Sequence, residues 1–300
     1  PMGDKLLMKN TIPEHLRPKY DYYEDKDIVS LQDLTLKALG RHWSSYKGSY
    51  PISNEDSYIK NDFRQKLAVL VQKRLKRNDL WAVKDPRICI FLEDWIKVLN
   101  SCRINIKIII LYRDPLTNIN SFSDKGKVPL NWAEALWQRT YINILSSSSA
   151  IKRKDISIRS FDEVINNSEK STIEICEFLG YKTASDLKQK INDHVDTSLP
   201  SKELKDSTYK LTRETNELNR ILISKEWGSK LPSEDKLLSN AFQSVLNSNY
   251  PGLDLNSAYL NEKKLSNKAK IAIVTAEFQG VGLCGGIGSA YKELANALLE

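Results

Sequence analysis

The chain has 300 residues and a mass of 34.3 kDa, enough for roughly two domains, which excludes a small disulfide-stapled protein or a lone helical hairpin. Hydrophobic residues make up 41% and charged residues 28% of the sequence, the balance of a globular protein rather than of a disordered or membrane protein. With 45 Lys and Arg against 38 Asp and Glu, the net charge is +7, which favours anionic partners such as nucleotides, sulfated or phosphorylated metabolites, or nucleic acid.

The four cysteines are far apart and form neither a C-x-x-C pair nor a cysteine–histidine pattern, so we predict no metal site and no disulfide framework. This usage is typical of a reducing compartment, and we expect a cytoplasmic protein. No apolar run approaches the ~20 residues that span a membrane, and the first residues lack a signal-peptide pattern. The basic residues form neither an aromatic-studded groove nor a helix-turn-helix pattern, which argues against nucleic acid as the partner.

Four apolar, β-rich runs alternate with helical patterns along the chain. They lie at 80–83, 104–112, 156–158 and 271–275. Strands that alternate with helices predict an α/β fold with a parallel sheet. Residues 106–111 hold a single charge, so we expect this strand to be buried on both faces in the middle of the sheet.

The spacing of apolar residues predicts five helices, two of which end at a glycine, Gly40 and Gly180. The predicted helices cover 27–39, 62–76, 115–122, 132–146 and 168–179. Helical spacing continues without strands at 204–246. The following stretch, 247–269, is rich in Asn, Ser and Lys and is predicted to be a linker.

The most informative stretch begins where the predicted central strand ends, at Arg113. Asp114 is a good helix N-cap and Pro115 suits the first helical position, so a helix starts at the carboxyl edge of the sheet, where open α/β sheets bind ligands. Arg113 offers a fork of donors matched to a phosphate, and the hydroxyl of Ser121 can add to the same oxygens. On these residues alone, a phosphate site competes with an arginine that only pairs with a neighbouring carboxylate.

Several segments in the same order resemble sulfotransferases that use 3′-phosphoadenosine 5′-phosphosulfate (PAPS). The Arg-x7-Ser pattern of Arg113 and Ser121 resembles their 3′-phosphate-binding signature. The segment at 81–87, Trp-Ala-Val-Lys-Asp-Pro-Arg, is similar to the Lys-Asp-Pro-Arg segment of bacterial sulfotransferase-like proteins. The segments at 156–164 and 175–181 are similar to the family's strand, acidic turn and Phe-Leu-Gly helix.

A further stretch, 22–43, resembles the family's residues after its first loop, so we assign 1–203 to a sulfotransferase-like domain. The resemblance implies a three-layer parallel sheet of the P-loop/sulfotransferase type, with a helical C-terminal tail at 204–246. The family binds the 5′-phosphosulfate with a loop rich in Gly, Ser and Thr after its first strand, and no such loop stands near Pro1. We therefore expect a domain that lacks its first strand and this loop, and a fragment that is inactive without them.

The resemblance also implies that the protein moves a sulfuryl group from PAPS to a hydroxyl acceptor, with a carbohydrate as the expected acceptor. Lys84 would bind the donor and stabilise the transferring or leaving group, and Arg113 with Ser121 would bind the 3′-phosphate. The acceptor hydroxyl needs a base within hydrogen-bond reach. Glu24 is the first candidate for this base and Asp85 the second. No metal is needed.

Each predicted site residue also has a structural interpretation. Asp85 can equally form a turn and cap a helix, and Glu24 can be a solvated acid near a helix start. Arg87 either holds substrate or simply pairs with Asp85. Trp132 either packs in the core or lines an adenine or acceptor pocket.

The final segment, 270–300, joins a short strand to a glycine-rich loop and the start of a helix. Gly280, Gly282 and Gly285 match G-x-G-x-x-G by count, but the loop is too long for a Rossmann turn. The segment more closely resembles the opening of GT-B glycosyltransferases of the glycogen and starch synthase type. We therefore expect an incomplete Rossmann-like βα unit that begins a covalently linked glycosyltransferase domain. The alternative function is a non-catalytic, sulfotransferase-derived binding scaffold attached to that domain.

Overall fold

The computed structural model describes residues 24–43, 57–76, 80–126, 128–181, 208–226 and 270–276. The strands are β1 (Leu80–Lys84), β2 (Asn105–Tyr112), β3 (Ile156–Ser160) and β4 (Lys270–Ala276). The helices are α1 (Lys26–Ala38), α2 (Ser57–Leu75), α3 (Ile88–Ser101), α4 (Pro115–Gly126), α5 (Leu130–Ser148), α6 (Phe161–Asn166), α7 (Ser168–Leu179) and α8 (Arg213–Ser224). A 3₁₀ turn at Arg153–Asp155 precedes β3.

The four strands form one parallel sheet in the order β1-β4-β2-β3. β2 pairs with β4 on one side and with β3 on the other, which confirms the prediction of an interior strand. Its residues from Ile108 to Leu111 are all buried, so both faces of this part of the strand are covered. The predicted α/β class with a parallel sheet is thereby confirmed.

β4 lies inside this sheet, whereas its sequence predicts a separate unit. Its backbone pairs with all five residues of β1 and with β2 from Asn105 to Leu111. Without β4, β1 and β2 would face each other with unpaired backbone N–H and C=O groups, which are costly to bury. The boundary predicted at 270 therefore does not separate β4 from the preceding sheet. The glycine-rich loop predicted at 280–288 lies outside the described residues.

Local sequence signals set the ends of the predicted helices. α1 begins after Asp25, whose side chain accepts hydrogen bonds from the backbone N–H groups of Asp27 and Ile28. The chain leaves α1 through Gly40 at φ +64° and leaves α7 through Gly180 at φ +79°. Glycine adopts this left-handed conformation without strain, so both predicted helix ends are confirmed.

α3 is the main helix that the sequence pattern misses. Its buried positions include Ile88, Phe91, Leu92, Trp95 and Leu99, together with others on the opposite face. The helical period is nevertheless present in its sequence, because the exposed residues Glu93, Lys97 and Asn100 recur at helical spacing opposite the buried ones, and the prediction overlooked this polar stripe. The short helix α6 is missed for a different reason, because six residues are too few to show a period.

α5 is the most completely buried helix, and every residue from Trp132 to Leu145 is buried. Its buried polar side chains are satisfied by the segment around α8. Glu134 accepts hydrogen bonds from the hydroxyl of Tyr209 at 2.6 Å and from the backbone N–H of Thr212 at 2.8 Å. This carboxylate therefore holds the start of α8 against α5. None of the described helices is both long enough and apolar enough to span a membrane.

We predict that deleting 270–300 lowers the melting temperature by roughly 10 °C, because it removes the strand between β1 and β2 and with it several backbone hydrogen bonds of ~0.5–1.5 kcal/mol each. Deleting 277–300, which keeps β4, is the matched control and should change the melting temperature little. Thermal unfolding followed by circular dichroism measures both. Equal melting temperatures for the two truncations would show that β4 contributes nothing to the stability of this sheet.

Candidate functional site

The carboxyl end of β1 continues into a tight turn that leads to α3. Asp85 Oδ1 accepts a hydrogen bond from the backbone N–H of Arg87 at 2.8 Å, and the backbone N–H of Ile88 donates to the carbonyl oxygen of Asp85 at 3.1 Å. Such side-chain-to-backbone bonds stabilise turns. The turn places Lys84 and Arg87 at the edge of the sheet where the parallel strands end.

Glu24 reaches this turn from just before α1. Its Oε1 accepts a hydrogen bond from Nζ of Lys84 at 2.9 Å, and its Oε2 lies 3.4 Å from Nη1 of Arg87. The side chains of Glu24 and Lys84 are each only 4% exposed, so the ion pair is buried. Losing one partner would strand the other charge away from water, which costs far more than losing an exposed pair. The structure thus brings together two of the residues that were predicted to be catalytic.

Asp85, the second predicted base, is buried and uses both carboxylate oxygens. Oδ1 accepts from Nη1 of Arg87 at 2.9 Å, and Oδ2 accepts from Nε2 of Gln32 at 2.9 Å. Burial, partly offset by the charge of Arg87, raises the pKa of Asp85 to about 6. The turn-forming interpretation of Asp85 is therefore realised, and a pKa near neutrality also suits a group that transfers protons.

Arg87 contacts three carboxylates and one aromatic ring. Its Nε donates to Oδ1 of Asp33 at 2.7 Å, in addition to the contacts of Nη1 with Asp85 and Glu24. Its guanidinium carbon lies 5.2 Å from the ring centre of Trp43. Burial opposes the charged guanidinium, but the three carboxylates outweigh it and raise the pKa of Arg87. The pairing of Arg87 with Asp85 is thus present in the structure, and a contact of Arg87 with substrate stays a prediction.

These contacts define the β1-end cluster, which consists of Glu24, Asp33, Lys84, Asp85 and Arg87. It holds two basic and three acidic side chains. Its positive charges are therefore compensated within the protein, and an anion that approaches it gains no net attraction while all three acids are ionised. Protonation of the acid with the raised pKa would balance the cluster.

Arg113 follows β2 and stands at the same edge of the sheet. Its guanidinium carbon lies 4.9 Å from the ring centre of Phe161, the first residue of α6. A guanidinium stacked on a ring directs its N–H donors within one fixed plane, which suits the oxygens of a phosphate. Asp114 accepts a hydrogen bond from the backbone N–H of Thr117 at 2.9 Å, so the predicted N-cap of α4 is confirmed. Ser121 lies on the second turn of α4 and is partly exposed.

Lys84 and Arg113 lie at different heights along the strand direction. Lys84 is level with Val274, which is level in turn with Ile109. Two strand spacings of ~4.8 Å separate Lys84 from Ile109, and at ~3.3 Å per residue Arg113 lies about 13 Å further toward the carboxyl edge. Lys84 is accordingly buried and Arg113 partly exposed. A ligand that contacts both side chains therefore needs acceptor groups at two separate points.

The residues that could hold an anionic ligand are thus Lys84, Arg113 and Ser121, which supply an ammonium group, a guanidinium and a hydroxyl. Within the described ranges, no three His, Cys, Asp or Glu side chains are grouped as metal ligands. Trp132, predicted either as a core residue or as a pocket wall, is buried within the hydrophobic core, as the packing interpretation expects.

Four residues that support the site were not predicted from the sequence: Gln32, Asp33, Trp43 and Arg74. Gln32 leaves a visible signal, because it is fully buried at the same helical face of α1 as Ile28 and Leu36. A polar residue within an apolar stripe calls for a buried partner. The other three show no comparable pattern, since their roles depend on segments far away in the sequence.

Arg74 on α2 fixes the segment that carries Glu24. Its Nε and Nη2 donate to the two carboxylate oxygens of Asp25 at 2.7 and 2.8 Å, and Nη2 also donates to Asp27 at 2.7 Å. The hydrogen bond to Asp25 raises the pKa of Arg74 against the opposing effect of burial. Because Asp25 follows Glu24 and caps α1, this bidentate pair sets the position from which Glu24 reaches Lys84.

No family model matches the chain, and no curated protein matches it either. Among solved structures, it is similar to a sulfotransferase domain from the curacin biosynthetic pathway, with a TM-score of 0.44 and 18% sequence identity. The similarity covers 64% of this chain and 78% of that domain.

We predict that Arg74→Met lowers the free energy of unfolding by ~3–5 kcal/mol, because it leaves the buried carboxylate of Asp25 without its partner. Lys66→Met is the matched control, since Lys66 and Asp62 form an ion pair in which both side chains are 47% exposed. Its loss should cost less than ~1 kcal/mol. Urea denaturation measures both variants. A loss below ~1 kcal/mol for Arg74→Met would contradict a role in holding this segment.

Proposed function

We propose that the protein is a sulfotransferase that moves a sulfuryl group from PAPS to a hydroxyl acceptor, with a carbohydrate as the expected acceptor. The observation that carries the proposal is the 2.9 Å contact between Glu24 and Lys84 at the carboxyl end of a parallel strand. Transfer to a hydroxyl requires a base for its proton and a cation for the developing negative charge. This pair offers both groups side by side.

Donor binding would involve three residues at the edge of the sheet. Arg113 and Ser121 would hold the 3′-phosphate, and Lys84 would contact the 5′-phosphosulfate. Their guanidinium, hydroxyl and ammonium groups match the oxygens of phosphate and sulfonate, and their separation suits a donor with anionic groups at two points. When bound, PAPS supplies a sulfuryl group activated by its link to the 5′-phosphate.

The transfer itself would depend on the β1-end cluster. Glu24 would accept the proton of the acceptor hydroxyl as the hydroxyl oxygen bonds to sulfur, with Asp85 as the alternative base. Lys84 would stabilise the negative charge left on the 5′-phosphate when its bond to sulfur breaks. Arg87 would hold substrate while its carboxylate partners keep it in place. As in phosphoryl transfer, most of the catalysis would come from positioning and electrostatics.

The wider organisation forms part of the same proposal. It comprises a sulfotransferase domain at 1–203, a helical tail at 204–246, a linker at 247–269 and the start of a covalently linked glycosyltransferase domain at 270–300. Because β4 pairs with β1 and β2, the proposed glycosyltransferase domain would begin with a strand that also completes the first sheet. A cytoplasmic location, expected from the wide spacing of the four cysteines, belongs to the same proposal.

A non-catalytic scaffold derived from a sulfotransferase is the second candidate function. It is favoured by the charge balance of the β1-end cluster, in which the two cationic side chains are already paired with three carboxylates. A structural ion-pair network would look the same, since its purpose would be to hold α1, β1 and α3 together. The two candidates differ in whether the edge of the sheet binds a 3′-phosphorylated nucleotide.

We predict that Arg113→Ala weakens binding of 3′,5′-bisphosphoadenosine by about tenfold or more and changes binding of AMP by less than about twofold, because only the first ligand carries a 3′-phosphate. Calorimetry on the full-length gene product measures both. Arg159→Ala is the matched control, because Arg159 lies on β3 and is paired with Glu174. Equal losses for the two ligands, or equal losses in the two variants, would remove the 3′-phosphate assignment and favour the scaffold.

We further predict that Glu24→Gln lowers the rate of sulfuryl transfer by about 100-fold or more, since it removes the proton acceptor, while 3′,5′-bisphosphoadenosine still binds within about twofold of the original affinity. Release of the bisphosphate from PAPS, with a panel of monosaccharide and phenol acceptors, follows the rate in the full-length gene product. Glu174→Gln, which changes a carboxylate away from the β1-end cluster, serves as the control. An unchanged rate in Glu24→Gln would exclude Glu24 as the base.

A further inference from the structure

A chain of buried contacts connects the core to the candidate site through Gln32. The indole N–H of Trp95 donates to Oε1 of Gln32 at 3.2 Å, and Nε2 of Gln32 donates to Oδ2 of Asp85 at 2.9 Å. All three residues are buried. Because an indole nitrogen can only donate, the carbonyl of the Gln32 amide must face Trp95 and its NH₂ group must face Asp85. The amide therefore always presents a donor to this carboxylate.

The contact chain continues from Asp85 to Arg87. Asp85 Oδ1 accepts from both the backbone N–H and Nη1 of Arg87, and Asp33 accepts from Nε. Nη2 has no hydrogen-bond partner among the described residues, and the Arg87 side chain is 10% exposed. Within the described part of the chain, two N–H donors of an otherwise immobilised guanidinium therefore have no acceptor, and the proposal below assigns them one on a ligand. Nη1 lies 3.4 Å from Oε2 of Glu24, so the guanidinium that carries Nη2 contacts the candidate base through Nη1.

We propose that Gln32 is a positioning residue which, through Asp85, holds Arg87 so that Nη2 donates to the sulfuryl oxygens of the bound donor. The inference rests on the proposed function, and it names the substrate group that Arg87 contacts. The sulfuryl group must lie beside the base at the moment of transfer, because the proton leaves the hydroxyl that attacks it. The contact of the Arg87 guanidinium with Glu24 meets this requirement.

The amide of Gln32 contributes direction rather than packing. An apolar side chain of the same length would fill the space between α1 and Trp95 without the cost of burying an amide. The amide recovers that cost only through its two hydrogen bonds, which depend on orientation. Gln32 therefore specifies where the carboxylate of Asp85 lies, and Asp85 in turn specifies the plane of the Arg87 guanidinium.

The first test detects the contacts between Trp95, Gln32 and Asp85 in the absence of any ligand. The raised pKa of Asp85, about 6, means that its carboxylate gains a proton as the pH falls through this value and becomes a weaker acceptor for Gln32. The charged groups that face Asp85 are Arg87 in the same turn and Glu24 before α1, while burial raises the pKa of the Cys89 thiol on α3 to about 12 and keeps it neutral. The chemical shift of the Trp95 indole N–H should change when Asp85 is protonated, because the Gln32 amide is hydrogen-bonded to both side chains.

We therefore expect the Trp95 indole N–H signal, in the ¹⁵N-tryptophan spectrum of the 300-residue chain, to shift with a midpoint near pH 6. Trp95→Phe identifies the signal among the six tryptophans. Asp85→Asn and Gln32→Met should each abolish the shift. A Trp95 signal that has the same position in Asp85→Asn as in the unmodified chain at about pH 7.5 would overturn the contact chain.

The second test measures the sulfuryl contact in the full-length gene product. We expect Gln32→Met to weaken PAPS binding by about tenfold, the loss of one charge-assisted hydrogen bond, and to change 3′,5′-bisphosphoadenosine binding by less than about twofold. Asp85→Asn should likewise weaken binding of PAPS more than binding of 3′,5′-bisphosphoadenosine. The double variant should lose no more PAPS affinity than either single variant, because both residues act through Arg87. Gln138→Met is the matched control, since Gln138 is a buried glutamine whose amide donates to Thr212 and Thr215.

Equal losses for the two ligands in Gln32→Met, or an equal preference in Gln138→Met, would overturn the positioning role and leave only a structural one. If Gln32→Met does not fold, Asp85→Asn gives the same comparison. Failure of the unmodified protein to bind either ligand would overturn the proposed function and the sulfuryl contact with it, while the Trp95 titration would still decide the Gln32–Asp85 contact. The two failures are therefore distinguishable.

Discussion

The buried ion pair between Glu24 and Lys84 is the interaction on which the rest of the site depends. Two opposite charges that are almost completely shielded from water stay together only if their surroundings supply further partners. Arg87 provides one partner for Glu24, and Asp85 and Asp33 hold Arg87 in turn. The tight turn after β1 and the position of α1 can both be understood as requirements of this pair.

The same requirement extends to residues that never touch Glu24. Arg74 holds Asp25 on one side of the pair, and Gln32 holds Asp85 on the other. Both are polar side chains buried at helix contacts, where an apolar residue would pack at lower cost. The site is therefore supported by directional bonds from α1 and α2 as well as by the strand that carries Lys84. Arg113 contacts the ring of Phe161 and directly precedes α4, so different elements carry the two cationic ends of the site.

How much of this could be predicted from the sequence differs between local and long-range features. The strands appear where β-rich apolar runs stand, and the ends of α1 and α7 follow from Gly40 and Gly180, because these signals act within a few residues. Lys84, Asp85 and Arg87 were predicted together because their segment resembles the Lys-Asp-Pro-Arg segment of sulfotransferase-like proteins. The order of the strands in the sheet could not be predicted in this way, because the apolar pattern of β4 does not indicate which strands it pairs with.

The residues that support the site show the same contrast between local and long-range features. Glu24 was predicted through the resemblance of its segment to sulfotransferases, but its contact with Lys84 bridges two distant parts of the chain. Trp43 and Asp33 face Arg87 only because α1 packs beside the turn after β1. Such contacts depend on the tertiary arrangement, which local periodicity does not encode. The roles of the predicted site residues, including the sulfuryl contact of Arg87, remain predictions.

The position of β4 between β1 and β2 has a consequence for biosynthesis. Translation must continue from Tyr112 to Ala276 before the missing strand can enter the sheet. At a synthesis rate of ~5–20 residues per second, the nascent chain exposes the unpaired edges of β1 and β2 for about ten to thirty seconds. Such edges can pair with other chains and cause aggregation. Protection by a ribosome-associated chaperone during that interval would matter more for the yield of this protein than for one whose strands pair in the order of synthesis.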